Sequence, residues 1–182
     1  MGQKQVAGWV AALLFGIVVT EHYFRNQLCK DVVIHIDHEA GLRFLEVSDI
    51  EQLVAKHGVL QSRPIRTIEL DKIENQVRAN SLVAGCKVHR DLRGNVVVHV
   101  EQEKPIARWV PVSKSSDWQA TKGMYINAEG SYFRLSEKFS AKVPLVSGDF
   151  FKKIDHLRTE KGRAVLELLL FIHRDEFWRS QV

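Results

Sequence analysis

Alternating apolar and polar positions mark the segment around which the rest of the chain is arranged, residues 95–103. Val96, Val98 and Val100 fall on one side and polar residues such as His99 on the other, which is the period of a half-buried strand. A proline follows, and because proline has no backbone donor and restricts the residue before it, the strand should end there. We therefore predict a strand that leads through a hinge into a second structural unit. The hinge residues are Pro105, Ile106, Ala107 and Trp109.

The residues before this strand have the pattern of two further strands and two amphipathic helices. Alternation predicts strands over residues 32–37 and 82–90. A capping box that begins at Ser48 predicts a helix over residues 48–57, and a second capped start at Asp71 predicts another helix. The order β-α-α-β-β can close a two-layer core, because the helices cover one apolar face of the sheet. In the strand over residues 82–90, the predicted inward side chains are Ala84, Cys86 and Val88.

The second unit is predicted to be a mixed β domain that ends in a helix. Residues 124–126 and 132–135 have strand patterns, and the turn between them should give Gly130 a positive φ. The helix is too short to span a membrane, so it should pack against the β unit. Its apolar residues are Val165, Leu166, Leu168, Leu169, Leu170 and Ile172.

An apolar segment precedes both units. Every residue from 6 to 19 is apolar or glycine, but at about 1.5 Å per residue this run is shorter than the roughly 30 Å hydrocarbon core of a bilayer. Residues up to 24 extend it to nearly a full span, and no small-residue cleavage site follows. A single-pass anchor over residues 6–24, behind a cytoplasmic tail of residues 1–5, is therefore favoured over a cleaved signal or a buried helix. The predicted anchor residues are Trp9, Leu13, Leu14, Phe15, Ile17 and Val18.

Charge and cysteine usage exclude two classes of protein. The net charge is only +4, and no block of five or six basic residues offers a surface to nucleic acid. The two cysteines, Cys29 and Cys86, are too few for a disulfide scaffold and lack the C-x-x-C spacing of a zinc site. No pattern supports a bond between them, and Cys86 is predicted to be a small core residue.

Catalytic chemistry has little support in the sequence. There is no G-x-S-x-G, P-loop or G-x-G-x-x-G motif. The nearest candidate is the run around His35, Asp37 and His38, one residue short of the H-x-H-x-D-H motif of metallo-β-lactamase-like hydrolases, but in a strand His38 points away from the other two. His35, His89 and His99 share the predicted solvent face, where they form either a pH-sensitive or metal-binding patch or a set of solvated side chains. We expect no catalytic residue, no metal and no cofactor.

Five features in order carry a resemblance to a known family. They are the short tail and apolar segment, the β-α-α-β-β unit, the sequence VEQEKPIARW, the hairpin Tyr125-Ile-Asn-Ala-Glu-Gly130 and the step Pro144-Leu-Val-Ser-Gly148. In these features the chain resembles the bacterial cell-division protein family FtsQ/DivIB. The resemblance implies an α+β fold: a transmembrane helix, a POTRA domain over residues 31–104 and a β domain over residues 105–182. It also implies a non-enzymatic scaffold of the inner membrane at the division septum, with its bulk in the periplasm.

The resemblance also implies the partners, which are other division proteins and no small-molecule substrate. FtsB and FtsL are implied for the last strands of the β domain, and FtsK, FtsW or FtsI for the POTRA domain. Family members continue past a helix such as the last one here into further strands. Because this chain stops at Val182, the β domain is expected to be incomplete.

The strand over residues 95–103 should lie in the middle of the POTRA sheet, which makes residues 82–90 an edge that can accept a partner strand. The residues named for this edge are Lys87, Val88, His89 and Arg90. The alternative for these side chains is a solvated edge that prevents aggregation. The alternative for the whole protein is a membrane-anchored POTRA protein of secretion or outer-membrane assembly, although neither tandem POTRA repeats nor a following barrel is evident.

Overall fold

A computed structural model describes residues 9, 13–16, 27–38, 41–111, 123–153 and 156–180. Within them the chain forms two sheets in sequence order, one of three strands and one of four. Helices cover one face of the first sheet, and a long helix packs on the second. The mixed α+β class is as predicted.

The first unit has the predicted order of elements. Strand β1 (Val32–Asp37), helix α1 (Val47–Ala55), helix α2 (Leu70–Arg78), strand β2 (Val83–Arg90) and strand β3 (Val96–Gln102) follow one another, with a 3-10 turn at Ile65–Thr67 before α2. The sheet order is β1-β3-β2, with β1 parallel and β2 antiparallel to β3. The predicted central position of β3 is confirmed.

Burial follows the alternation in β3. Val96, Val98 and Val100 are 0%, 0% and 1% exposed, and they pack in one cluster with buried residues of the helices, among them Ile50 and Ile73. Valine side chains are β-branched and pack well on the pleated surface of a strand, so this composition suits a strand that lines a core. Val97, on the opposite side of the strand, is also buried at 7% exposure, and it lies between Val33 and His89 of the two flanking strands.

Three local predictions were wrong in detail. Helix α1 is capped by Glu46 rather than Ser48, and the Asp49 carboxylate accepts the Glu46 N–H at 2.8 Å. Helix α2 starts at Leu70 with Glu69 as its N-cap, so Asp71 lies inside the first turn. Ala84 is exposed rather than buried, because the pairing of β2 with β3 shifts between Val83 and Gly85 and turns Val83 inward.

The second unit is a four-stranded sheet with a helix on one side. Strands β4 (Pro105–Trp109), β5 (Met124–Asn127), β6 (Tyr132–Arg134) and β7 (Leu145–Val146) are followed by 3-10 turns at Asp149–Lys152 and His156–Arg158, helix α3 (Glu160–Arg174) and helix α4 (Glu176–Ser180). The sheet order is β6-β5-β4-β7, and β7 runs parallel to β4. Residues 112–122, between β4 and β5, lie outside the described residues.

Helix α3 packs on the sheet as predicted, but only one side of it is buried. Leu169 is 4% exposed and lies in a cluster with Ile106 and Ile126. Leu168, which the sequence grouped with these apolar residues, is 56% exposed. The helix begins at Thr159, whose hydroxyl accepts the Gly162 N–H at 3.1 Å, the usual role of a threonine N-cap.

The turn between β5 and β6 has the predicted conformation. Gly130 has φ +73°, and its N–H donates to Asn127 O at 3.0 Å. A side chain at Gly130 would meet the left-handed backbone penalty, and its Cβ would lie 3.2 Å from the Leu157 Cβ. Glycine is therefore required here both for the turn and for the packing beneath it.

The two units share a buried core. Tyr125 of β5 and Phe133 of β6 belong to the same cluster as the first sheet and its helices. The ring of Phe44, which precedes α1, lies 5.4 Å from the ring of Tyr125 and 6.3 Å from that of Phe133 between centroids. These offset and edge-on geometries are the favoured ones for aromatic pairs. Neither sheet can therefore unfold without exposing part of the other's core.

Because Phe44 is 1% exposed and contacts both units, Phe44→Ala should lower the free energy of unfolding by about 3–5 kcal/mol. Both units should still unfold in a single transition. Urea denaturation followed by tryptophan fluorescence and circular dichroism measures both effects. Val59→Ala, at a side chain that is 75% exposed, is the control and should leave the midpoint unchanged. Two separate transitions in the unmutated chain would show that the shared core does not couple the units.

Candidate protein-binding edges and surfaces

The predicted partner edge is an edge of the first sheet. Within the described residues β2 pairs with β3 alone. Lys87, His89 and Arg90 are exposed and Val88 is half-buried. The sequence therefore located the edge strand correctly, and its role in binding a partner stays a prediction.

Side chains of α2 already hold the outward backbone groups of this edge. The Cys86 carbonyl accepts two hydrogen bonds from Arg78, at 3.2 Å from Nε and 2.9 Å from Nη2. The Val88 N–H donates to Glu74 Oε2 at 3.2 Å. Glu74 Oε1 and Arg78 Nη2 form an ion pair at 3.1 Å. We call Glu74 and Arg78 the edge clamp, because together they satisfy one acceptor and one donor that an added strand would use.

Arg90 is also engaged within the fold. Its guanidinium donates from Nε to Ile65 O and from Nη2 to Ile68 O, both at 2.8 Å. Ile65 belongs to the 3-10 turn and Ile68 follows it, so Arg90 connects the end of β2 to the segment that leads into α2. Charge-assisted bonds of this kind are the stronger ones in proteins. Of the four residues named for the edge, Lys87 and His89 thus keep the most exposed side chains for a partner.

The opposite edge, β1, has no comparable clamp. Val96 N–H donates to Asp31 O at 3.0 Å. In a parallel pair every second residue of a strand bonds to its neighbour, so the backbone groups of Asp31 face β3 and those of Ile34 and Ile36 point away from it. No side chain among the described residues bonds to these outward groups of Ile34 and Ile36 in the way that the clamp bonds to β2. The two edges of the sheet are therefore unequal.

Three histidines form a row across the open face of the same sheet. The rings of His35 and His99 are stacked with centroids 5.0 Å apart, and those of His89 and His99 are stacked at 5.4 Å. The prediction that these three side chains share one face of the sheet is confirmed. The ring of His38 lies apart from the row, with Nδ1 3.1 Å from Leu42 O. Nowhere in the described part of the chain do three or more His, Cys, Asp or Glu side chains come together in a way that could hold a metal ion.

Pro105–Trp109, the predicted hinge, forms β4, which lies between β5 and β7. Pro105, Ile106 and Ala107 are buried and Trp109 is half-buried. Hydrogen bonds also stabilise the chain just before β4. The side chain of the buried Gln102 accepts the Leu45 N–H at 2.9 Å and donates to Asp37 O at 2.8 Å. The predicted joint between the two units therefore lies at the first strand of the second sheet.

Polar contacts connect the two units on the side of α1. The Lys138 ammonium lies 2.9 Å from both Glu46 and Asp49, and the Ser136 hydroxyl donates to Phe44 O at 3.1 Å. Burial raises the pKa of the Asp49 carboxyl, but the Glu46 backbone bond and Lys138 outweigh it and hold that pKa below its usual range. The ion pair therefore stabilises the folded arrangement more when Asp49 is charged.

Only part of the predicted anchor is described. Trp9, Leu13, Leu14 and Phe15 are helical, with exposures from 58% to 76%. Ile17 and Val18 lie outside the described residues. Within the described segments, no helix has both the length and the apolar character needed to cross a bilayer.

Both cysteines are buried free thiols. Burial and the nearby Glu74 carboxylate raise the pKa of the Cys86 thiol to about 11, and burial raises the pKa of Cys29. Because the thiolate is the nucleophile, neither group is activated for chemistry. The prediction of Cys86 as a core residue is confirmed by its 2% exposure.

Two family models match the chain in tandem. Residues 27–101 match the POTRA-like domain, and residues 104–182 match the model described as FtsQ/DivIB, C-terminal related. The chain belongs to the FtsQ/DivIB family. The boundary between the two matches falls at the junction of β3 and β4, where the two sheets meet. No curated protein matches the chain.

Membership of the FtsQ/DivIB family indicates a scaffold role in cell division through protein–protein interaction. The FtsQ/DivIB family is a family of non-enzymatic division scaffolds. The second match also separates this chain from POTRA proteins of secretion and outer-membrane assembly, because the POTRA-like unit is followed here by a division-family domain. The surfaces to weigh as binding sites are thus the sheet edges and the exposed helix faces.

Glu74→Ala should expose the Val88 amide to solvent, because it removes the acceptor at 3.2 Å without touching the ladder between β2 and β3. Amide hydrogen exchange at Val88 should accelerate at least tenfold while its neighbours Lys87 and His89 stay protected. Lys72→Ala removes an exposed ion pair with Glu69 and is the control. Unchanged protection of Val88 in the Glu74 variant would show that Glu74 does not hold this edge.

Lys138→Met should flatten the loss of stability in acid. A carboxyl whose folded pKa is depressed stabilises the fold above its unfolded pKa, here 3.8 for Asp49, and this contribution disappears as the pH falls through the folded pKa. Without Lys138 the pKa of Asp49 rises towards its unfolded value, so the free energy of unfolding decreases less as the pH falls. Thermal unfolding across the acid range measures the slope, with Lys161→Met as the control. Parallel curves for Lys138→Met and the unmutated chain would exclude the contribution.

Proposed function

We propose that the chain is a non-enzymatic, single-pass membrane scaffold that recruits and links division proteins at the bacterial septum. The observation that carries the proposal is the tandem of a POTRA-like unit and an FtsQ/DivIB C-terminal unit around one shared core. A shared core holds two binding surfaces at a fixed spacing, which is what a linking protein needs. The alternative of catalysis by a cysteine nucleophile has no support, because burial raises the pKa of both thiols.

The membrane part of the proposal rests on the apolar N-terminal segment. Residues 6–19 contain no charged or strongly polar side chain, and Trp9 and residues 13–16 are helical. We place residues 1–5 in the cytoplasm, the anchor over residues 6–24 and the two sheets in the periplasm. This topology delivers both units to the space where septal proteins carry their extracytoplasmic domains.

Partner binding is proposed at the β2 edge of the first unit by addition of an extended segment. The partner strand would take the place of the edge clamp, pairing with Cys86 O and Val88 N–H once Arg78 and Glu74 swing away. Lys87 and His89 would contact the partner's side chains on the open face. By family membership the candidates are FtsK, FtsW and FtsI for this unit, and FtsB and FtsL for the second unit.

Two proline variants test the edge with the fold preserved. In Val88→Pro the lost N–H is the outward one that Glu74 holds, so the ladder to β3 persists, as is usual for proline on an edge. Ile34→Pro makes the same change on the β1 edge. A fluorescently tagged full chain should gather at midcell, Val88→Pro should reduce that signal severalfold, and Ile34→Pro should not.

The localisation experiment separates three outcomes. An even membrane distribution of the intact, unmutated chain would reject the division scaffold. Loss of the midcell signal in Ile34→Pro rather than in Val88→Pro would move the partner site to β1. A signal unchanged in both variants would reject strand addition on this sheet. Circular dichroism of both variants confirms that the fold is intact.

A further inference from the structure

Helix α3 carries an exposed apolar stripe on the side opposite its buried face. Leu168 and Phe171 are 56% and 54% exposed, and their spacing of three residues places them on one side of the helix. The inward face is already occupied, because Leu169 packs against the second sheet. Large apolar side chains grouped on a surface mark an interaction site more often than isolated ones do.

The stripe borders a shallow groove of about 440 Å³. Leu170 and Phe171 form its apolar floor, and Glu167, Arg174 and Asp175 form its rim. The Asp175 carboxylate accepts the Trp178 N–H at 3.1 Å and so caps α4. Phe171 therefore belongs both to the exposed apolar stripe and to the lining of the groove.

The charges beside the stripe determine which partner fits. Glu167 and Arg174 are separated by seven residues, or two turns, and lie on the same side of α3. Neither makes an ion pair with another described residue. Residues 160–180 hold four acidic and four basic side chains, so the helix pair has no net charge with which to attract an anionic lipid surface.

This pattern is complementary to itself. In an antiparallel pair of α3 helices with a two-fold axis near Phe171, residues at equal distances on either side of the axis face each other. When the axis lies midway between Leu170 and Phe171, Glu167 and Arg174 are equally far from it on either side, so Glu167 meets Arg174 of the second copy, and the contact occurs twice. A surface that matches itself under a two-fold rotation is what an isologous dimer requires.

We propose that this face of α3 binds the same face of a second copy of the chain. The Leu170 and Phe171 side chains of the two copies meet near the axis, while two Glu167–Arg174 ion pairs set the antiparallel register. Aromatic side chains at the centre and charged ones at the rim are the usual anatomy of such an interface. The pairing is independent of the sheet edges and would make the division scaffold divalent.

Charge reversal with mixing tests the proposal on the full chain in mild detergent. The unmutated chain should dimerise in sedimentation velocity over a dilution series from micromolar to submillimolar. Glu167→Arg and Arg174→Glu, each alone, should weaken dimerisation by roughly tenfold, because two attractions become two repulsions. An equimolar mixture of the two variants should restore the dimer, since each then presents the opposite charge. Lys161→Glu, a reversal away from the axis, should have no effect.

The mixing arm makes the result decisive. A fold lost through either substitution could not be regained by mixing, and circular dichroism of each variant checks it separately. A monomeric unmutated chain over the whole series, dimerisation unchanged in the single variants, or a mixture as monomeric as its components would each overturn the proposal.

Discussion

The packing of Phe44 against Tyr125 and Phe133 is the constraint on which the rest of the structure depends. Phe44 precedes α1 and the other two rings lie on the second sheet, so one aromatic cluster fixes the distance and angle between two otherwise separate layers. The Lys138 ion pairs, which join the second unit to Glu46 and Asp49 at the start of α1, add direction to that contact. Because aromatic packing is short-ranged and dense, the two binding units behave as one body whose surfaces keep a fixed relation.

Alternation along the chain predicted much of this fold for a physical reason. A strand with one buried face must alternate, so Val96, Val98 and Val100 revealed both their strand and its inward side. The details that it missed depend on contacts between distant residues. Ala84 is exposed because of a shift in pairing with β3, and no pattern within one strand encodes its register with another. The sequence did not predict the aromatic cluster either, because its rings come from distant parts of the chain.

The candidate site was half predictable. Sequence order and the central position of β3 were enough to identify β2 as an edge. The clamp was not, because Glu74 and Arg78 at i and i+4 on α2 have the spacing of an ordinary surface ion pair. Only the approach of α2 to the edge shows that both side chains also bond to the backbone of β2. In the same way, the position of Arg90 on the edge strand did not indicate that its side chain donates a hydrogen bond to the Ile65 carbonyl.

The clamp limits how tightly and how selectively this edge can bind. An added strand would form hydrogen bonds with Cys86 O and Val88 N–H only as Arg78 and Glu74 give theirs up, and exchanging one satisfied bond for another changes the free energy little. The backbone alone therefore supplies weak affinity at β2, so selectivity must come from the side chains beside it, Lys87 and His89. An edge built in this way resists indiscriminate strand addition and aggregation, and under the proposed mechanism it would accept only a partner whose side chains compensate for opening the clamp.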